Sequence, residues 1–201
     1  MPRAVPPSQQ STFEQAIDRI QHGLIITTPN GEPVFVNSYA RRVLDANSGL
    51  RVGRSGLEST RPDHTRTLKQ AIERASAGTL ERPVTLLLPR QVGYRPLSVH
   101  VLAPAAPPPD NCAAVFVCDP DHRPQPTVDL LCRVFALTRA EAAVAILIMQ
   151  GHTVERAADL LYVSIHTART HLKRILLKTE TNRQGELIRL LLVSCAQLLI
   201  E

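Results

Sequence analysis

The run from Thr138 to Leu192 constrains this chain more than any other stretch, because it carries three helix-start signals at short intervals. Thr138 followed by Glu141 has the spacing of a capping box, so a helix begins there. It carries Ala142, Val144, Ala145, Leu147, Ile148 and Met149 until Gly151 ends it. Thr153 suits the cap of a second helix, Val154 to Leu161, whose Ala157, Ala158, Leu160 and Leu161 offer a small-residue packing face. Tyr162 and Val163 leave only a short turn before Ser164, a good N-cap for a third.

That third segment, Ser164 to Lys178, carries Arg169, Lys173, Arg174 and Lys178 and no acidic residue. Wound at ~3.6 residues per turn, it puts Ile165, Ala168, Leu172, Ile175 and Leu176 on one apolar stripe. His166, Arg169, Thr170, Lys173 and Arg174 fall beside or opposite it. One side then packs into a core while the other is suited to a phosphate-lined groove. Two short helices, a tight turn and a basic second helix make a helix-turn-helix arrangement, with the second helix presented to the major groove. The whole chain has a net charge of only +5, of which the four cations of Ser164 to Lys178 supply +4, so this local concentration is the informative quantity.

After Thr181-Asn182 comes a last helix, in which Leu187, Ile188, Leu190, Leu191, Leu192 and Val193 make the surface apolar almost all round. A small domain does not bury such a helix alone, so a partner surface is expected. Arg189 interrupts the run, and the uncharged stretch from Leu190 to Ile200 is too short to span a membrane.

Leu137-Thr138, Glu141, Gly151, Ala157 to Leu161, Val163-Ser164, Thr167, Arg169-Thr170-His171-Leu172, Ile175, Lys178-Thr179 and Arg183-Gln184 together resemble the LuxR-type helix-turn-helix domain, over nearly all of Leu137 to Leu192. The resemblance implies that Arg169, Thr170 and Lys173 face bases, and that Ser164, Thr167, His171, Arg174 and Lys178 hold the DNA backbone; His166, beside the stripe by helical spacing, is a further DNA-binding candidate. It also implies that the last helix pairs with its twin in a homodimer, through Leu187, Leu190, Leu191 and Ser194. Thr167 and His171 have an alternative role, capping or packing against the first helix. The chain departs from the family at Ala168, where a larger Val is usual, at Gly185, where Ala is common, and at Glu180, where a helix-ending Gly is usual. Glu180 has to end its helix without glycine's freedom at positive φ, and it sets a negative charge near DNA.

The remaining two-thirds of the chain reads as a second, α+β domain. Residues 1–12 are Pro-rich and polar, read as a disordered start without a signal peptide's apolar core. Phe13 to His22 has helical spacing; Gly23 to Thr28 and Val34 to Asn37 flank a Pro29-Asn30-Gly31-Glu32 turn as a hairpin. Ser38 to Ala46 reads as a helix with Ala40, Val43 and Leu44 inward, and Asp63 suits the cap of another, running to Ala77. Gly53-x-x-Gly56 is too short for a phosphate loop and reads as a turn. Strands are expected at Val84–Leu88, Leu97–Leu102 and Ala113–Cys118, giving a five-stranded antiparallel sheet. The Gly23 strand, the Asn30-Gly31 turn and Asn37 followed by Ala40 and Leu44 resemble the opening of a PAS domain, with a GAF-like fold as the competing resemblance. That implies a ligand-sensing or dimerising module over residues 13–118.

The expected organisation is therefore a PAS-like domain at 13–118, a linker and docking helix at 119–136 with Leu131 and Phe135 on its buried face, and a four-helix LuxR-type domain at 137–201. Pro104 to Pro109 reads as an extended loop between strands. No cofactor is called for: Asn111-Cys112-Ala113-Ala114 does not match the flavin-photosensor motif, and His64, the nearest haem-ligand candidate, sits in the polar context Arg61 to Thr67. Seven aromatic residues give little on which to stack a large ring, so a small apolar ligand or an empty core fits better. Cys112, Cys118, Cys132 and Cys195 form no CxxC pair and no zinc set, so no metal is expected. No nucleophile–base motif supports an enzyme. The combined expectation is a cytoplasmic, homodimeric transcription regulator that binds double-stranded DNA. The rival readings are an interaction or dimerisation module with little DNA binding, and a ligand-binding enzyme domain.

Overall fold

A computed structural model describes residues 14–104, 111–122 and 125–195. The expected disordered start and most of the Pro104–Pro109 loop lie outside the described residues. The chain divides into two compact units, Met1–His122 and Arg123–Glu201.

The first unit is α+β. A short helix, α1, is described over residues 14–18. It is followed by β1 (Gly23–Thr27), β2 (Pro33–Val36), α2 (Ser38–Asp45), β3 (Leu50–Gly53), β4 (Gly56–Ser59), α3 (Pro62–Ser76), β5 (Val84–Leu88), β6 (Leu97–Leu102) and β7 (Ala113–Cys118). Five strands form one antiparallel sheet in the order β2-β1-β7-β6-β5. Alternation decides its faces. Gly23, Ile25 and Thr27 of β1, Leu97, Val99 and Val101 of β6, and Ala113, Val115 and Val117 of β7 all turn to the side covered by helices, and all are buried. Leu68, Ala71, Ile72 and Ala75 of α3 and Tyr39, Ala40 and Val43 of α2 complete that core.

Asn37 explains why α2 starts where it does. Its side chain is fully buried, and Oδ1 accepts from Ala40 N at 3.0 Å, capping the helix, and from Leu24 N at 2.9 Å. The amide nitrogen donates to the His22 and Ile17 carbonyls, so every bond the group makes ties α1, β1 and α2 together. The cap expected of Asp63 is not used: the N-cap of α3 is Arg61, without a side-chain cap bond, and Pro62 takes the first helical position, where its missing N–H is harmless.

The β3–β4 hairpin is an addition to the sequence reading, which has only a turn at Gly53 to Gly56. It closes the core with Leu50 and Leu57, both fully buried. Gly56 has φ +89°, and a Cβ there would fall 2.4 Å from the Gly31 carbonyl carbon, so only glycine allows the hairpin to lie on the β1–β2 turn.

The second unit is all helical: α4 (Val128–Phe135), α5 (Arg139–Met149), α6 (Val154–Leu160), α7 (Ile165–Lys178) and α8 (Gln184–Cys195). Thr127, Thr138, Thr153 and Ser164 each cap the helix that follows by accepting a backbone N–H three residues on, and the capping box of Thr138 and Glu141 closes in both directions. The core joins Leu130, Leu131, Leu137, Ala142, Val144, Ala145, Ile148, Ile175, Leu187 and Leu191. Ala157, Ala158 and Ala168 are buried as well, and their small side chains let α6 and α7 approach closely.

Two expectations about this unit need correction. Leu187 and Leu191, read as dimer-facing, are fully buried in the unit's own core, so they have no surface to offer a second copy. A helix apolar on all sides gives no sequence signal for which side faces inward. Ile165, placed on the buried stripe of α7, is 44% exposed, whereas Ala168 and Ile175 of the same stripe are fully buried.

Candidate nucleic-acid interface

The geometry of α6, its turn and α7 follows from how α6 ends. Tyr162 adopts φ +57°, and the Tyr162 and Val163 N–H groups donate to the Asp159 and Ala158 carbonyls, a Schellman closure in which a tyrosine occupies the position that favours glycine. Ser164 then opens α7: its hydroxyl accepts from Thr167 N at 3.0 Å and lies 2.8 Å from the Thr167 hydroxyl. Both hydroxyls are thereby engaged in the cap.

Beyond the cap, α7 shows one side to solvent. His166, Arg169, Lys173 and Arg174 are exposed, and Thr170 lies among them, half-buried, its hydroxyl donating to the His166 carbonyl at 2.9 Å. Lys173 and Arg174 have no ion-pair partner among the described residues, while Arg169 Nη2 lies 3.0 Å from Glu155 Oε1 on α6. The Glu155 carboxyl is held below its ordinary pKa, first by its own backbone N–H and then by the Arg169 guanidinium. His171 and Thr167 are half-buried on the flank, and His171 Nδ1 is buried with no hydrogen-bond partner among the described residues.

Lys178 stands apart from the rest of the row. Its ammonium donates to Glu141 Oε2 at 2.7 Å and to the Ala136 carbonyl at 2.9 Å, which leaves one of three donors free. Burial alone would raise the Glu141 carboxyl; hydrogen bonds from Lys178 and from Thr138 outweigh it and hold the pKa below the ordinary value. α7 ends in another Schellman closure, Thr181 N to Leu176 O at 3.0 Å and Glu180 N to Leu177 O, with Glu180 at φ +53°. The residue expected to end the helix without glycine's freedom does so by entering the left-handed region itself.

On α8, Leu190 is half-buried and Ser194 exposed, beside Leu192 at 44% and Val193 at 64% exposure. Of the four side chains expected at a dimer face, only Leu190 and Ser194 are on the surface.

The first unit holds a second polar cluster that the sequence reading does not contain. Arg90, its side chain 7% exposed, donates to Asp119 Oδ1 at 2.7 Å and to the Ser48 hydroxyl, and its guanidinium lies over the Tyr94 ring. Asp119 N donates to the buried Tyr39 hydroxyl at 3.1 Å; burial, above all, raises the pKa of that phenol. The His122 ring meets Tyr39 edge-on, and burial first, then Arg42, lowers its pKa. The cup between Tyr39, Arg42, Arg90, Asp119 and His122 measures about 80 Å³, room for a few waters. Pairs 29 and 80 residues apart in sequence leave no local signal by which to find this cluster. His64, the sequence's haem-ligand candidate, is half-buried near Asp63, its Nδ1 without a partner among the described residues. Among the described residues no group of three His, Cys, Asp or Glu is placed to hold a metal, and no helix is long and apolar enough to cross a membrane.

No known protein family and no curated protein matches the chain. Among solved structures it is similar to a phage VqmA in complex with DPO, at 16% identity over 93% of this chain and 89% of that one, with a TM-score of 0.39. A Vibrio cholerae VqmA dimer, described without its target DNA and as a LuxR-type receptor, matches at 17% identity over 94% and 88%, TM-score 0.36. SdiA in complex with octanoyl-rac-glycerol matches at 12% over 96% and 90%, TM-score 0.28.

Proposed function

We propose that the chain is a sequence-specific DNA-binding transcription regulator that sets α7 of a LuxR-type helix-turn-helix into the major groove. The observation that carries this reading is the exposed row His166, Arg169, Lys173 and Arg174, with Thr170 half-buried among them, on a helix anchored by Ala168 and Ile175. A rigid, anchored helix offering guanidinium and ammonium groups, with no carboxylate between Ser164 and Lys178, matches what a phosphate-lined groove attracts. Arg169, Thr170 and Lys173 are assigned to bases. Ser164, His166, Thr167, His171, Arg174 and the remaining donor of Lys178 are assigned to the DNA backbone.

The reading extends to a homodimer paired through the exposed side of α8, carried by Leu190, Val193 and Ser194. The first unit is assigned as a PAS-like module that shifts DNA affinity by favouring one arrangement of the dimer, the organisation being PAS-like domain, linker and DNA-binding domain. Such a regulator works in the cytoplasm, where the DNA is.

The test is a titration of the full chain with duplex fragments of genomic DNA at several salt concentrations. Binding whose logarithm falls linearly with the logarithm of salt, by about 0.9 per phosphate contacted, supports the reading. Absence of binding at low salt refutes it and leaves the interaction-module alternative.

A further inference from the structure

Arg169 differs from its neighbours on α7 in one respect: it is the cation of the exposed row that has a carboxylate partner among the described residues. Glu155 Oε1, in the first turn of α6, lies 3.0 Å from Arg169 Nη2, and both side chains are more than half exposed. In water such a pair contributes little to stability. A carboxylate beside the face that meets a polyanion also repels that polyanion. The contact therefore has no evident purpose in the free protein, and on electrostatics alone it opposes the proposed function.

Its geometry suggests another role. An arginine side chain loses much rotamer freedom when it docks. A carboxylate holding Nη2 of the guanidinium removes part of that loss in advance and limits the swing of the fork, leaving four N–H donors for a partner. When DNA excludes water from the contact, the local dielectric falls and the pair strengthens at the moment the fork has to be aimed. Guanine presents two acceptors, O6 and N7, that such a fork spans.

We propose that Glu155 is a positioning residue for base recognition, holding the Arg169 guanidinium so that its remaining donors face a guanine in the major groove. The proposal rests on the DNA-binding reading of α7. It names the base class that Arg169 selects and a residue outside α7 that sharpens the selection.

The experiment uses the full chain. Selection from random duplexes defines the preferred site, and Arg169→Ala identifies the base pair whose preference depends on that side chain. The affinity ratio between the preferred duplex and one carrying adenine in place of that guanine is then measured for the wild type, Glu155→Gln, Arg169→Ala and the double variant. Glu155→Gln keeps the length and exposure of the side chain, and an unchanged melting temperature shows that the fold is intact.

A full bidentate contact supplies discrimination of roughly 5- to 150-fold, and Glu155→Gln is expected to remove part of it, lowering the wild-type ratio by about threefold. Its affinity for unrelated duplexes should be unchanged or slightly higher. In the Arg169→Ala background the same substitution should have no effect on the ratio. Four results overturn the proposal while DNA binding stands: a ratio unmoved by Glu155→Gln, a gain in affinity equal on all duplexes, an effect that persists without Arg169, or no guanine preference that depends on Arg169. If the wild type binds no duplex at all, the DNA-binding reading fails and this proposal with it.

Discussion

The Lys178 ammonium lies 2.7 Å from Glu141 Oε2, joining the last residue of α7 to the first turn of α5 across 37 positions of sequence. The same Glu141 oxygen accepts from Thr138 N, so one buried carboxylate closes a capping box and anchors the helix proposed to enter DNA. With Glu141 only 2% exposed, removal of the lysine leaves a charge that has lost its main partner.

Lys178→Ala should therefore lower the stability of the second unit by about 1–3 kcal/mol, read by urea denaturation. The pH dependence follows from the depressed Glu141 pKa. The contribution is fully present above the unfolded value of about 4.3 and is lost as pH falls through the folded value, so the gap between wild type and variant should narrow below about pH 4. A gap that stays constant down to pH 3 contradicts the assignment. Any DNA-binding loss in this variant has to be separated from this effect on the fold.

Within the exposed row, Arg169 and Arg174 should behave differently. Arg169→Ala should cost about 1–3 kcal/mol on the best site and relax its sequence preference. Arg174→Ala should weaken all duplexes alike and reduce the log-log salt slope by about 0.9. Equal behaviour of the two would remove the division between base and backbone contacts.

Glu180 and Tyr162 each occupy the left-handed position of a Schellman closure, and both are exposed, Tyr162 by 96%. Nothing packed is lost on their replacement. Glu180→Gly is expected to stabilise the second unit by about 0.5–1 kcal/mol, since relief of the positive-φ strain outweighs the added freedom of the unfolded chain. A melting temperature that falls would show the strain to be absent.

For α8, the buried and exposed leucines separate folding from assembly. Leu191→Ala should cost about 2–5 kcal/mol because it opens a cavity in the core. Val193→Glu, on a side chain 64% exposed, should leave the melting temperature of dilute protein in place and shift sedimentation toward monomer. A dimer unaffected by Val193→Glu moves the interface off this helix.

In the first unit, Asp119→Ala should cost about 3 kcal/mol, because the buried Arg90 guanidinium loses its close carboxylate and keeps Asp121 at 3.5 Å in its place. A change below 1 kcal/mol would show that Asp121 and the Tyr94 ring suffice.

What the sequence by itself determined is the part written in neighbouring residues. The caps Thr138, Thr153 and Ser164 act on N–H groups three positions away, so their helices start where the local pattern says. The alternation of Leu97, Val99 and Val101 with Ser98 and His100 in β6 names its buried face because successive side chains point to opposite sides of a strand. The exposed basic row on α7 is legible for the same reason, since period and charge are both local. Tertiary structure alone decided the rest. Leu187 and Leu191 face inward, and Val193 outward, only because of where α5 lies, as a helix apolar all round carries no preferred side. The β3–β4 hairpin rests on two buried leucines and the close approach of Gly56 to Gly31, contacts that exist only once the sheet is assembled. The partnerships of Lys178 with Glu141, Arg169 with Glu155 and Arg90 with Asp119 join residues 37, 14 and 29 positions apart. No pattern of period 2 or 3.6 reaches that far; packing sets those distances.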